Sequence, residues 1–176
     1  MKTTISLRVI TGSLVILSAI LIFQSSRRMS ITIDEPNHYF CGMQWWQDGE
    51  YTSWPENPVF SSIVTAAGPY LAAYRADGFD PEGEEINIMS HFFNSYRMDY
   101  FHDKSIDNPL LLARIFVLPV FLLSVLVVWL WARRLSGDLG GFIAVGIYAF
   151  TPLVMGHAGL ATTDITFVST FTILIW

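Results

Sequence analysis

The sequence predicts an all-α integral membrane protein, a multi-pass bundle of transmembrane helices whose long first extracytoplasmic loop carries amphipathic juxtamembrane helices. Three observations predict it. The 176 residues are 52% hydrophobic and only 14% charged, with a mean hydropathy of +0.44, more apolar than a soluble domain of this size. The apolar residues gather in a few long runs, as crossing a bilayer demands. Charge is partitioned: residues 24–110 hold 13 of the 15 acidic side chains and five of the ten basic ones, a net −8, while the rest of the chain is net positive.

The first run follows a basic start (Lys2, Arg8) and is apolar from Val9 to Phe23 apart from Thr11, Ser13 and Ser18. Counted over 5–23 it is long enough to span at about 1.5 Å per residue. A cleaved signal peptide would share the basic start and apolar core, but no clear small-residue cleavage site follows, and further spans lie downstream, so we read an anchor.

Residues 24–110 read as the outer loop. Asp34-Glu35-Pro36 opens a helix to Gln47, ended by the Asp48-Gly49 turn. Tyr39, Met43 and Trp46 share one side of it, and Trp45-Trp46 suit the interfacial belt, the alternative being a buried aromatic face in a soluble domain. After the rigid Trp54-Pro55-Glu56-Asn57-Pro58 connector, 58–74 is apolar with a Gly68-Pro69 kink. Arg133-Arg134 and the Lys2/Arg8 tail should both be cytoplasmic, which requires an even number of spans between them. The stretch 58–74 therefore lies in or near the interface. Residues 76–107 are turn-rich and acidic, with a short helix expected over 91–101.

Asn108-Pro109 opens the next element, with a second span at about 115–132 and Arg114 at its upper mouth. The turn Arg133–Asp138 leads into a third span at about 140–155, and a fourth starts at about 165–176. The chain stops mid-run at Ile173-Leu174-Ile175-Trp176, so this reads as an N-terminal fragment with further C-terminal spans expected. One cysteine, Cys41, excludes an intrachain disulfide, and no basic stripe suggests nucleic acid. No GxGxxG, P-loop or GxSxG elbow is present.

The order of these pieces resembles the GT-C glycosyltransferases of the protein O-mannosyltransferase and aminoarabinose-transferase group. The match rests on Asp34-Glu35 followed by His38 and aromatics, on the Pro-containing helix near Asn57-Pro58, and on Ala113-Arg114. It continues through Ala132-Arg133-Arg134-Leu135-Ser136-Gly137 with a Gly-rich span ending Thr151-Pro152, and the small-residue connection His157–Asp164. Family members often carry His-Pro-Pro where this chain has Asn57-Pro58. The resemblance implies inverting transfer of a sugar from a polyprenyl-phosphate donor to an acceptor hydroxyl of a protein, lipid or glycan. It places the chemistry on the outer face of the cell (inner or plasma) membrane, with the N-terminus cytoplasmic.

On that reading Asp34 and Glu35 are the catalytic pair. Asp34 takes the acceptor proton as general base, and Glu35 tunes it or holds an acceptor or metal. Arg114, Asp164 and His38 bind substrate, Arg114 stabilising the leaving phosphate. The ordinary alternatives are a helix cap for Asp34, snorkelling for Arg114 and a cap of the fourth span for Asp164. No cofactor is required. A divalent ion such as zinc would draw on Glu35, His38, His157 and Asp164. A transporter fragment and a non-catalytic membrane assembly protein are the competing functions; the charges fall at span ends rather than mid-membrane, which disfavours a transporter.

Overall fold

The computed structural model describes residues 2–52, 55–76 and 108–176. The expected helix over 91–101, and His91 and His102 with it, lie outside the described residues. Within them the chain is helical with no strand. The elements are α1 (Lys2–Ser26), α2 (Glu35–Asp48), α3 (Val59–Leu71), α4 (Pro109–Phe150), α5 (Pro152–Ala158) and α6 (Thr163–Ile175).

Among the described residues, α1 and α4 are long and apolar enough to cross a membrane, and α5 with α6 is a third candidate if that pair, bent by 110°, counts as one span. The bundle presents Ile16, Leu126, Ile143, Ile147, Phe171 and Leu174 to its surroundings, a surface that suits lipid rather than water. The apolar helices are those of a membrane protein.

α4 is 42 residues long but not straight. Ser136 (φ −137°, ψ 15°) and Gly137 (φ +71°) leave helical geometry and reverse the chain. The left-handed φ at Gly137 costs a glycine no Cβ clash. The two arms then run antiparallel: Phe121 stacks on Tyr148 at 6.2 Å, Ser124 and Tyr148 share a 2.9 Å hydrogen bond, and Trp129 lies against Gly141. The second and third expected spans are therefore one helical hairpin. The second arm ends at Phe150 rather than near 155. Pro152 removes an N–H and forces Thr151 into extended backbone (φ −63°, ψ 123°), so a separate short helix, α5, begins there.

α1 lies against α4, and Arg8 meets Asp138 of the hairpin turn at 3.2 Å, so the basic tail and the Arg133-Arg134 turn share one end of the bundle. α6 returns to that end, where Arg134 lies 5.1 Å over the Trp176 ring. The opposite end is capped by α2 and α3. Pro36 sits in the first turn of α2, and Gly49 closes it in the left-handed region at φ +75°. The aromatic side of α2 is buried: Tyr39 and Met43 are fully covered, and Trp46 stacks on Tyr70 and donates to the Ile63 carbonyl. That face packs against α3. Two glycines permit the close approach. A Cβ on Gly42 would run into the Ser62 carbonyl, and one on Gly68 would lie 2.8 Å from the Leu112 carbonyl oxygen of α4. Hydroxyls tie α6 to the rest, with Thr166 donating to Ser61 at 2.6 Å and Ser169 to Ser124 at 3.2 Å.

Candidate functional site

The carboxylates and the arginine singled out in the sequence meet at the α2/α3 end. Glu35, in the first turn of α2, and Arg114, in the first arm of α4, form a buried bidentate pair: Arg114 Nε to Glu35 Oε1 at 2.6 Å and Nη2 to Oε2 at 2.7 Å. The guanidinium also donates from Nη1 to the carbonyls of Ser26 (2.7 Å) and Met29 (3.0 Å), and from Nη2 to that of Ser30 (2.9 Å). Five donors thus meet five acceptors, the full capacity of an arginine. The three carbonyls belong to the C-terminal end of α1 and the turn after it, where orphan acceptors and the negative end of the helix dipole favour a cation.

Glu35 is equally saturated. Oε1 also accepts from the Ala161 N–H at 2.9 Å, and Oε2 from the Thr32 N–H at 2.9 Å and the Thr32 hydroxyl at 3.1 Å. One ion pair therefore joins the end of α1, the loop into α2, the start of α4 and the 159–162 connection. Buried charges are tolerated when paired and fully hydrogen-bonded in this way.

This bears on the roles expected for Arg114 as a substrate-binding residue and Glu35 as part of the catalytic pair. In this arrangement Arg114 has no N–H left for a donor phosphate, and Glu35 has no oxygen facing an acceptor or a metal. Arg114 does not snorkel either; it is buried. Both tie together the elements around the site.

Asp34 is placed differently. It is the N-cap residue of α2, yet its side chain makes no capping hydrogen bond, and it is exposed. Helix capping therefore does not account for its carboxylate. His38, one turn on, is buried. Burial pushes its pKa below the ordinary histidine value, against the opposing fields of Asp34, Asp164 and Glu35, in that order. Asp34 and Asp164 thus both lie near the same imidazole. Asp164, in the first turn of α6, is 58% exposed, accepts from the Thr162 hydroxyl at 3.2 Å and lies 3.1 Å from His157 Nδ1, an ion-pair distance when that imidazole is protonated.

Asp34, His38, His157 and Asp164 thus gather at the capped end of the bundle, where the Glu35–Arg114 pair also lies. No group of three or more His, Cys, Asp or Glu side chains is placed to hold a metal ion among the described residues. The four expected metal candidates do not fit one, because Glu35 is consumed by Arg114. The partners that sequence reasoning missed are the carbonyls of Ser26, Met29 and Ser30 and the N–H groups of Thr32 and Ala161. Backbone groups carry no residue signature that would have revealed them.

No family model matches the chain, and neither the curated proteins nor the solved structures yield a match.

Proposed function

We propose that the protein transfers a sugar from a polyprenyl-phosphate donor to an acceptor hydroxyl, with Asp34 as general base. The observation that carries this reading is the contrast between adjacent carboxylates. Glu35 is buried and saturated, while Asp34 is exposed, uncapped and held rigidly beside it. A base must be fixed in place yet open to its substrate, and the Glu35–Arg114 lock fixes the backbone that carries Asp34.

The setting supports a lipid-borne donor. Asp34 and its neighbours lie where apolar helices end, which is where the phosphate head of a membrane lipid would sit. Asp34 accepts the proton of the acceptor hydroxyl as its oxygen bonds to the anomeric carbon. The bond to the donor phosphate breaks on the opposite face, inverting the centre. Because Arg114 is occupied, the departing phosphate falls to exposed cations at the same end, Arg27 and Arg28, which follow α1 directly. Asp164 and His38 position the acceptor. Arg8, Arg133 and Arg134 at the other end favour a cytoplasmic side there on the positive-inside rule, which supports an extracytoplasmic setting for Asp34.

The experiment is direct: the protein in membranes, given polyprenyl-phosphate hexoses and pentoses and a membrane extract as acceptor, should release free polyprenyl phosphate. No release from any of these donors above membranes lacking the protein would contradict the assignment.

A further inference from the structure

A second feature lies at the opposite end of the bundle and does not depend on the proposed transferase activity. Between α1 and the two arms of α4 runs a groove of about 420 Å³, within the range of roughly 300–1,000 Å³ usual for small-ligand sites. Its walls are Gly12, Val15, Leu126, Trp129 and Val145, and Arg8 stands at its mouth. Gly12 makes the notch, since a Cβ there would meet nothing within 4 Å.

The mouth carries excess positive charge. Asp138 is the one carboxylate among the described residues at this end, and two guanidinium groups share it. Arg133 Nε reaches it at 2.6 Å and Arg8 Nη2 at 3.2 Å. Arg134 adds a third cation beside Trp176. The Arg8 side chain remains 47% exposed, so it can meet a further anion without leaving Asp138. An apolar slot ending in uncompensated arginines matches an acyl chain ending in a phosphate.

We propose that this groove holds one acyl chain of an anionic phospholipid, with its phosphate against Arg8. The test is native mass spectrometry of the purified full-length protein with equimolar phosphatidylglycerol and phosphatidylcholine. Wild type should retain one phosphatidylglycerol in preference to phosphatidylcholine by about tenfold. Arg8→Gln should bring the two lipids near parity, and Gly12→Leu, which fills the notch, should abolish retention of both. Protection of the buried Cys41 from maleimide reports that each variant is folded, and Arg8→Gln decides alone if Gly12→Leu is not. Equal retention of both lipids by wild type, or preference unchanged in Arg8→Gln, would overturn the proposal. So would quantitative crosslinking of an Ile16→Cys variant to another protein segment, which would assign the groove to protein.

Discussion

Glu35 and Arg114, 79 positions apart, form one closed unit in which every guanidinium N–H has an acceptor and both carboxylate oxygens are shared with backbone N–H groups. Removing one partner leaves the other charged, buried and unpaired. Arg114→Ala should cost about 3–5 kcal/mol in an unfolding titration in mixed micelles. Arg114→Lys should not restore it, because an ammonium has three donors for five acceptors. The Glu35→Leu/Arg114→Leu double variant should cost less than the sum of the single changes. It should still cost something, because three carbonyls and two N–H groups lose their partners. Strict additivity would show that the pair is not a unit.

His38 gives the site a pH dependence of definite sign. Its folded pKa lies below the ordinary 6.5 because burial penalises the charged form. The unfolded chain therefore binds the proton more readily. Stability is unaffected above about pH 6.5 and falls as pH drops below it, levelling off once pH is under the folded value. His38→Gln should flatten this part of the profile. An unchanged slope in that variant would place the titration elsewhere.

The packing of α3 depends on two missing methyl groups, Gly42 where α2 meets α3 and Gly68 where α3 meets α4. Gly42→Ala and Gly68→Ala should each destabilise by about 1–3 kcal/mol through overpacking, since the obstacles include main-chain carbonyls that cannot swing aside. Thermal unfolding of the two variants would measure it. Gly12→Ala, which meets open space, is the control and should fall within about 0.5 kcal/mol of wild type.

Cys41, on α2, is buried, and burial raises its thiol pKa to about 11. Little thiolate forms near neutral pH, and access is blocked. Maleimide should label it slowly in the folded protein and rapidly after denaturation. Fast labelling of native protein would contradict the packing.

Much of this architecture is legible in the sequence because it rests on local signals. Hydropathy marks α1 and the arms of α4, Pro36 and Pro109 mark two helix starts, and Asp48-Gly49 marks a helix end. Thr151-Pro152 was just as local, yet hydropathy ran through it. The apolar pattern continues past Phe150 while the helix stops there, so hydropathy alone does not mark that boundary. Tyr39, Met43 and Trp46 declared one face but not what covers it, since exposure to lipid and burial under α3 select the same residues. The site divides the same way. Asp34, Glu35 and Arg114 stand out by type and position, but the choice of partner does not. Arg114 near a membrane mouth is equally suited to a phosphate, a headgroup or a carboxylate. Only the fold, by bringing the end of α1 and the start of α2 against α4, supplies the Glu35 carboxylate and the three carbonyls that hold it.

The most direct test of the account is Asp34→Asn, measured as release of polyprenyl phosphate alongside stability. Because the Asp34 side chain makes no capping bond, the substitution should leave stability within about 0.5 kcal/mol of wild type. Release should fall by about 10²–10⁴-fold, the worth of a general base. Full activity in a folded Asp34→Asn protein would contradict the central claim.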